Sequence, residues 1–327
     1  MPSVSVIIPT FNAARFVERA WHSILRQTTL DWEAIFVDDS SGDGTAAMVG
    51  GFCDADRRAR LIRLPVNAGP AVARNRGIEA AAGDWIAVLD ADDAFDPCRL
   101  ARLTEAGTAM GGDIVLDNLL ILDPADLRPL RTAFEEGGPP RPLAPSEYLR
   151  GVQTGRSTFD WGFLKPVLRR GFLVEHRLGY RPEMRFGEDV VFMLDAILAG
   201  AQLVLVPDPL YHYTAQWSGA ARAYSTATRT TNNYPALIAA SRSIRLAARG
   251  GAAAQLGPLL ASREESLREL SLVTDFRAAL KTRDAIVLAS CMMRPVRLAR
   301  GVRAWRRRHR SLREMETRFA ARARAEA

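Results

Sequence analysis

Trp85-Ile86-Ala87-Val88-Leu89-Asp90-Ala91-Asp92-Asp93 is an apolar run that ends in three carboxylates within four positions. Bounded by Gly83-Asp84 before it and by acids after it, the run reads as a strand covered on both faces, as in a parallel sheet. Ligands of such sheets sit beyond the carboxyl ends of the strands, so Asp90 and Asp92 arrive where a ligand is expected. Alternation along an extended chain turns both carboxylates to one side and Ala91 to the other. Two oxygens can then hold one hard divalent cation, Mg2+ or Mn2+, and leave positions open for water or substrate phosphates. The plainer alternative is a polar turn whose acids cap a helix starting near Pro97.

Upstream, Val4-Ser5-Val6-Ile7-Ile8 gives a β-branched first strand that Pro9-Thr10-Phe11-Asn12 stops. From Ala13 the period becomes helical through Phe16, Val17, Ala20, Trp21, Ile24 and Leu25, with Asn12 placed as the cap. The first loop has no G-x-G-x-x-G, which counts against a nicotinamide or flavin enzyme. Trp32 to Val37 is a second strand, ending in Asp38-Asp39-Ser40-Ser41-Gly42-Asp43-Gly44-Thr45. Such a loop can hydrogen-bond a ribose or the imide edge of a uracil, or Asp43 and Ser41 can simply cap the helix through Val49; Asp39 is assigned to the site. Leu61 to Leu64 is a short third strand, and a helix follows from Ala71 to Ala82. Asn67, Gly69, Arg74 and Asn75 lie around the start of that helix, where termini and arginines favour phosphate. A solvated surface position is the alternative for Arg74.

Four ordered motifs now stand together: Val6-Ile7-Ile8-Pro9-Thr10-Phe11-Asn12, Val37 to Thr45, Asn67-Ala68-Gly69 followed by Ala73-Arg74-Asn75, and Leu89-Asp90-Ala91-Asp92-Asp93. Over about the first hundred residues the chain resembles the family 2 glycosyltransferases, whose fold is called GT-A. The resemblance implies a nucleotide-sugar donor, a divalent cation at the D-x-D and transfer with inversion at the anomeric carbon. Carried onto matching positions, Pro9 and Thr10 border the nucleotide with Asn12, Asn67, Gly69 and Arg74 nearby. Asp39 reads the base, Asp90 holds the ribose side and Asp92 the metal.

Past Pro97 the chain should build the acceptor half: a helix from Leu100 to Ala109, a strand at Asp113 to Leu116, then a long irregular stretch from Asp123 to Pro145. Trp161 to Arg170 resembles the family's variable acceptor-side motif, with Lys165 inside it; Trp161 is either a platform for a sugar ring or a buried core residue. Phe186-Gly187-Glu188-Asp189-Val190-Val191-Phe192 carries the Glu-Asp pair of the family, which makes Asp189 the general base and Glu188 its neighbour. Two acids favouring the positive end of a helix would look the same. Leu203 to Pro207 is a strand, after which Pro209 to Tyr213 leads into a loop with Trp217, Ser218 and Gly219. His212 is a candidate for a pyrophosphate or metal contact, with a structural role as the alternative. Many relatives have Tyr-Arg where this chain has Tyr213-Thr214, and Arg222 lies near enough in sequence to substitute.

The formal charge of +7 is concentrated at one end: from Cys291 to Ala327 twelve Arg face three Glu, leaving a net of −2 on the other 290 residues. Leu298, Val302, Trp305, Leu312 and Phe319 form a stripe among those arginines. It reads as a membrane-surface helix on anionic lipid, as a helix docked on its own domain, or as a nucleic-acid contact, the last the least favoured. Cys53, Cys98 and Cys291 offer neither a disulfide framework nor a zinc spacing and read as buried small hydrophobes. No signal core or spanning segment is evident, which suggests a cytoplasmic protein, peripheral on the inner face of the plasma membrane if the tail binds lipid.

The expected fold is α/β, a doubly wound and mostly parallel GT-A sheet flanked by helices, with a C-terminal helical appendage. Residues 1–220 form the transferase domain, with 1–100 the nucleotide-sugar half and 101–220 the acceptor half, and 221–327 form the basic helical region. The expected activity is an inverting, metal-dependent transfer from a nucleoside-diphosphate sugar, UDP-linked, to a saccharide or lipid-linked saccharide of a surface or exported polysaccharide. A catalytically inactive nucleotide-sugar-binding scaffold and a sugar nucleotidyltransferase are the rivals. The latter would want a glycine-rich basic first loop, which is absent.

Overall fold

The computed structural model describes residues 2–135, 137–153, 159–215 and 233–306. The chain divides into one unit of Met1–Pro145 with Phe163–Thr231 and another of Ser146–Gly162 with Asn232–Ala327.

The first unit alternates strands and helices: β1 (Val4–Thr10), α1 (Val17–Leu25), β2 (Trp32–Asp38), α2 (Thr45–Ala55), β3 (Ala59–Arg63), α3 (Pro70–Ala80) and β4 (Trp85–Val88). These four strands pair in parallel in the order β3-β2-β1-β4. The near-continuous burial of β1, β2 and β4 explains why they read as apolar runs rather than alternation, while the edge strand β3 is mostly half-buried or exposed. Trp21 of α1 packs edge-on against Trp32 and stacks on Phe52 of α2, which fills the space over β2. On α3, a Cβ at Gly77 would fall 2.2 Å from Ile7 Cγ2, so only glycine lets this helix lie so close to β1.

The sheet continues with β5 (Ala94–Phe95), α4 (Arg99–Met110), β6 (Ile114–Leu122), β7 (Pro129–Thr132) and β8 (Arg141–Pro142). After α5 (Pro145–Gly151) come β9 (Val167–Arg169), α6 (Arg170–Glu175), α7 (Glu188–Leu198) and β10 (Leu203–Thr214). The full order is β3-β2-β1-β4-β9-β6-β10-β5, with β7 on β6 and β8 on β10. β9 is antiparallel to both β4 and β6 and joins β3-β2-β1-β4 to the rest of the sheet.

Several details depart from the sequence reading. Asn12 does not cap α1, which starts five residues later at Val17 after a turn from Ala13 to Phe16. Instead Asn12, at a φ of 50°, accepts from Gly42 N–H through its side chain and donates its own N–H to Ser41 Oγ, tying the first loop to the second. Asp43 accepts from Thr45 N–H, as a cap would, and also from Ala14 N–H. The stretch from Asp123 to Pro145 holds β7 and β8 rather than being irregular throughout. β10 runs unbroken to Thr214, accommodating Pro207 and Pro209 in a bulge between Val206 and Tyr211, so His212 is a strand residue. Of the cysteines, Cys291 is buried while Cys53 and Cys98 are partly exposed.

In the second unit, α8 (Tyr234–Ala247), α9 (Gly257–Thr282) and α10 (Ala285–Met292) lead to a further helical segment, 295–306. Leu298 is buried with Leu272, Val273 and Cys291, and Val302 and Trp305 pack against that cluster. The described part of the expected lipid-facing stripe is therefore spent inside the unit; Leu312 and Phe319 lie outside the described residues, as does the basic segment from 307 on.

One fully buried ion pair braces the sheet beside the site. Arg99 donates from Nε and Nη2 to the two oxygens of Asp117, at 2.9 and 2.8 Å, with neither side chain exposed. Truncating one partner strands the other charge in the core, so Asp117→Leu should cost about 3–5 kcal/mol in urea unfolding, and Arg99→Met with Asp117→Leu together should cost clearly less than the sum of the two single changes.

Candidate active site

The acids of β4 and of α7 meet in space. The end of β4 is fixed by its neighbours: Leu89 N–H donates to Ile7 O, and Asp90 N–H donates to the Tyr211 hydroxyl at 3.2 Å. That hydroxyl donates in turn to Asp93 Oδ2 at 2.7 Å, and Thr214 N–H donates to Asp93 Oδ1. Asp93 is thus structural. Burial, with the charges of Asp92 and Asp90 behind it, holds its carboxyl well above the ordinary range.

Gly187, at a φ of 71°, turns the chain into α7, so Glu188 and Asp189 occupy its first turn. Lys165 Nζ lies 2.7 Å from Asp189 Oδ2 and 2.9 Å from Asp90 Oδ2. Arg74 completes the set, with Nη2 3.0 Å from Asp90 Oδ1 and Nη1 2.7 Å from Glu188 Oε1 and 3.3 Å from Asp189 Oδ1. Both cations are buried, each about 4% exposed. Burial alone would lower their proton affinity, but the surrounding carboxylates, Asp189 foremost, raise both instead. Burial likewise pushes Asp90 up, and the Lys165 and Arg74 charges outweigh it and hold its carboxyl well below the usual range.

Supporting contacts come from all sides. Arg74 lies over the Tyr180 ring, which stacks on Phe192 at 4.6 Å between centroids. Asn75 clasps the Tyr180 backbone, accepting from its N–H and donating to its carbonyl. The Lys165 carbonyl accepts from Arg99 Nη2, which connects the buried Arg99–Asp117 pair to the centre.

Asp39, also buried, accepts from Ala68 N–H at 2.7 Å and Gly69 N–H at 2.8 Å, and its carbonyl accepts from Asn67 Nδ2 at 3.3 Å. Its carboxylate therefore shapes the 67–69 turn, where the Gly69 φ of 94° excludes other residues. Thr10 O accepts from Asp39 N–H, so the first two loops are joined next to Pro9.

Other expectations resolve less simply. Arg74 is neither solvated nor turned outward; its guanidinium is occupied by three acids. Trp161 belongs to the second unit, where its indole lies over Gly151. His212 sits 3.9 Å from Asp96, and burial lowers its proton affinity. It lines an open groove of about 500 Å³ with Arg19, His22, Arg26 and Phe95. Trp217, Ser218, Gly219 and Arg222 lie outside the described residues.

Sequence reasoning passed over Arg19. It donates from Nη2 to Asp92 O and to Thr214 Oγ1, so helix α1 delivers a cation to the position where a Tyr-Arg pair is missing. The vacancy at Thr214 was the available signal. Arg185, donating to Asn67 Oδ1 and O, was also missed.

No cluster of three or more His, Cys, Asp or Glu side chains among the described residues makes a ready-made metal cage. Asp92 nonetheless suits a hard cation. It is half-buried, and burial first, then the adjacent Asp90 charge, pushes its carboxyl up to about 6. Further ligands would have to come from a bound diphosphate and water.

Residues 5–170 match the family model described as Glycosyl transferase family 2. Among solved structures, S. aureus TarS 1-349 in complex with UDP-GlcNAc aligns with a TM-score of 0.63 at 19% identity, covering 85% of this chain and 73% of that one. The mannosyltransferase PcManGT from Pyrobaculum calidifontis, in complex with GDP-Man and Mn2+, aligns with a TM-score of 0.51 at 18% identity over 93% and 86% of the two chains. At such identities the likeness is one of fold, and the fold is that of the GT-A glycosyltransferases. The chain belongs to glycosyl transferase family 2. The succinoglycan biosynthesis protein ExoO of Rhizobium meliloti is 37% identical over 215 residues, which are 65% of this chain and 61% of that protein. Succinoglycan biosynthesis protein ExoU of the same organism is 34% identical over 210 residues, 62% and 59% of the two. The alignments thus take in about three fifths of each relative's own length.

Asp92 yields a prediction with a definite sign. A carboxyl whose folded value of about 6 exceeds its ordinary 3.8 binds its proton more tightly when folded, so it erodes stability as pH rises from about 4 to about 6, above which the full penalty stays constant. In EDTA, Asp92→Asn should therefore unfold at higher temperature than wild type at pH 8, with the two converging below pH 4.

Proposed function

We propose that this chain is an inverting glycosyltransferase that moves a sugar from a UDP-sugar to a hydroxyl of a growing exported polysaccharide. The acceptor is carried on a lipid, and the reaction takes place at the inner face of the plasma membrane. The observation that carries the reading is the sharing of Arg74 and Lys165 between Asp90 and Asp189, which come from the two halves of the fold. A donor-side acid and a candidate base held by the same two cations form one centre. TarS, solved with UDP-GlcNAc, supports the donor class, and the names of ExoO and ExoU support the polysaccharide.

In this scheme Asp39 keeps the 67–69 turn shaped for the base and ribose, with Pro9, Thr10 and Asn12 along the same edge. Asp90 faces the ribose side. A divalent cation on Asp92, Mg2+ or Mn2+, supplies charge neutralisation at the leaving diphosphate. Arg19, beside Asp92, adds a positive charge that the protein itself owns.

Lys165 and Arg74 keep the Asp189 carboxylate oriented while no acceptor is present. The acceptor hydroxyl takes over part of that contact and donates its proton to Asp189. The acceptor oxygen then bonds to the anomeric carbon as the carbon–oxygen bond to phosphate breaks, the electron pair leaving with UDP. One displacement from the face opposite the diphosphate inverts the centre.

Two measurements test these roles separately. Asp189→Asn should lower transfer by about 10²–10⁴-fold while UDP still binds, since only the proton acceptor is lost; activity within a few-fold of wild type would remove Asp189 from the mechanism. In calorimetry, Mn2+ should strengthen UDP binding to wild type and fail to do so for Asp92→Ala; an equal gain in both would place the cation elsewhere.

A further inference from the structure

The second unit leaves one helical face uncovered. In α10 the exposed apolar positions Ala285, Ile286, Ala289, Met292 and Met293, the last its C-terminal cap, fall on an arc of about 120° with exposed Ser290 at its edge, while Val287, Leu288 and Cys291 turn inward. Ile286 and Met293 are each 83% exposed, more than any other large hydrophobic residue among those described. The next helical segment, 295–306, repeats the arrangement. Leu298, Gly301 and Ala304 are buried, and a Cβ on Gly301 would fall 2.4 Å from the Glu269 carbonyl of α9. Its outer positions are Val296, 65% exposed, then Ala299, Arg300, Arg303 and Arg306.

Cys291 and Leu298 share a cluster with Leu272 and Val273, so both helices pack on α9 and both outer faces point away from it. Between Ala285 and Arg306 there is no acidic residue. Arg297 is engaged by Glu265, whereas Arg294, Arg300 and Arg303 enter no ion pair among the described residues.

We propose that the outer face of α10 and of 295–306 lies in the headgroup layer of an anionic bilayer, with Ile286, Met292, Met293 and Val296 entering the acyl boundary and Arg294, Arg300 and Arg303 among the phosphates. Charge complementarity selects this occupant. A run of small and flexible apolar side chains edged by arginines, without one acid, matches a fluid anionic surface and needs no shaped partner. The docking lies in the plane of the membrane, since no helix among the described residues is long and apolar enough to cross it. The surface differs from the Leu298–Trp305 stripe that the sequence suggested, which packs inward. It deepens the membrane part of the proposed function and is independent of sugar transfer.

The test is co-sedimentation of the full chain with vesicles of phosphatidylcholine alone or mixed with phosphatidylglycerol. Wild type should bind the mixed vesicles and leave the neutral ones. Ile286→Glu with Met293→Glu should weaken binding at least about tenfold, and Arg294→Gln, Arg300→Gln and Arg303→Gln together about a hundredfold with a shallower salt dependence. Ile286→Ser with Met293→Ser repeats the first arm if the carboxylates disturb folding, which the thermal midpoint reads. Wild type remaining in the supernatant, or apolar-face variants binding like wild type, overturns the proposal. So does a dimer in sedimentation velocity that Ile286→Glu dissolves, because the face would then belong to a second copy. UDP binding by the same variants in solution reads the transferase proposal separately: it should persist when vesicle binding is lost.

Discussion

Two buried cations hold this fold's chemistry together. Lys165 and Arg74 sit among Asp90, Glu188 and Asp189 with every charged contact at 3.3 Å or less. Placing so many charges away from water costs free energy, and mutual attraction repays it only while the geometry is kept. The constraint runs outward from there. Arg74 needs Tyr180 beneath it, Tyr180 needs the clasp of Asn75, and Lys165 needs its backbone anchored by Arg99. The contacts at Tyr180 run from α3, and the one at Lys165 from α4, to loop residues that precede α7 and β9. The five charged groups sum to one negative charge, and Asp92 adds a second. Arg19, which donates to the Asp92 carbonyl, offsets part of that charge.

β1, β2 and β4 were legible because both of their faces are buried, and burial on both faces writes itself as unbroken runs such as Val4 to Ile8 and Trp85 to Leu89. The acids were legible because they sit where those runs stop. β9 was not, because three residues wedged antiparallel between β4 and β6 carry no period of their own. The length of β10 was masked by Pro207 and Pro209, which a bulge absorbs without ending the strand. Arg74 and Lys165 could be picked out as charged residues near motifs. Their partners could not, since the pairings span anything from 16 residues (Arg74–Asp90) to 114 (Arg74–Glu188) and depend on where α7 begins. The tail shows the opposite limit. Its amphipathic period was plain, yet period alone does not say which face finds a partner inside the protein, and Leu298 found α9.

The arrangement also explains why Asp189 alone would have been ambiguous. Two acids in the first turn of a helix are favoured by the helix dipole whatever the protein does. What separates this pair from ordinary helix-start acids is the company: Lys165 reaches Asp189 and Asp90 with one ammonium group.

The most direct measurement is a crystal structure of the full chain with UDP and Mn2+. The account predicts a diphosphate against Asp92 and Arg19, a uracil at the turn held by Asp39, and Asp189 still joined to Lys165 across from the diphosphate. Nucleotide density at another edge of the sheet, or an Asp189 carboxylate parted from Lys165 and turned to bulk water, would contradict it.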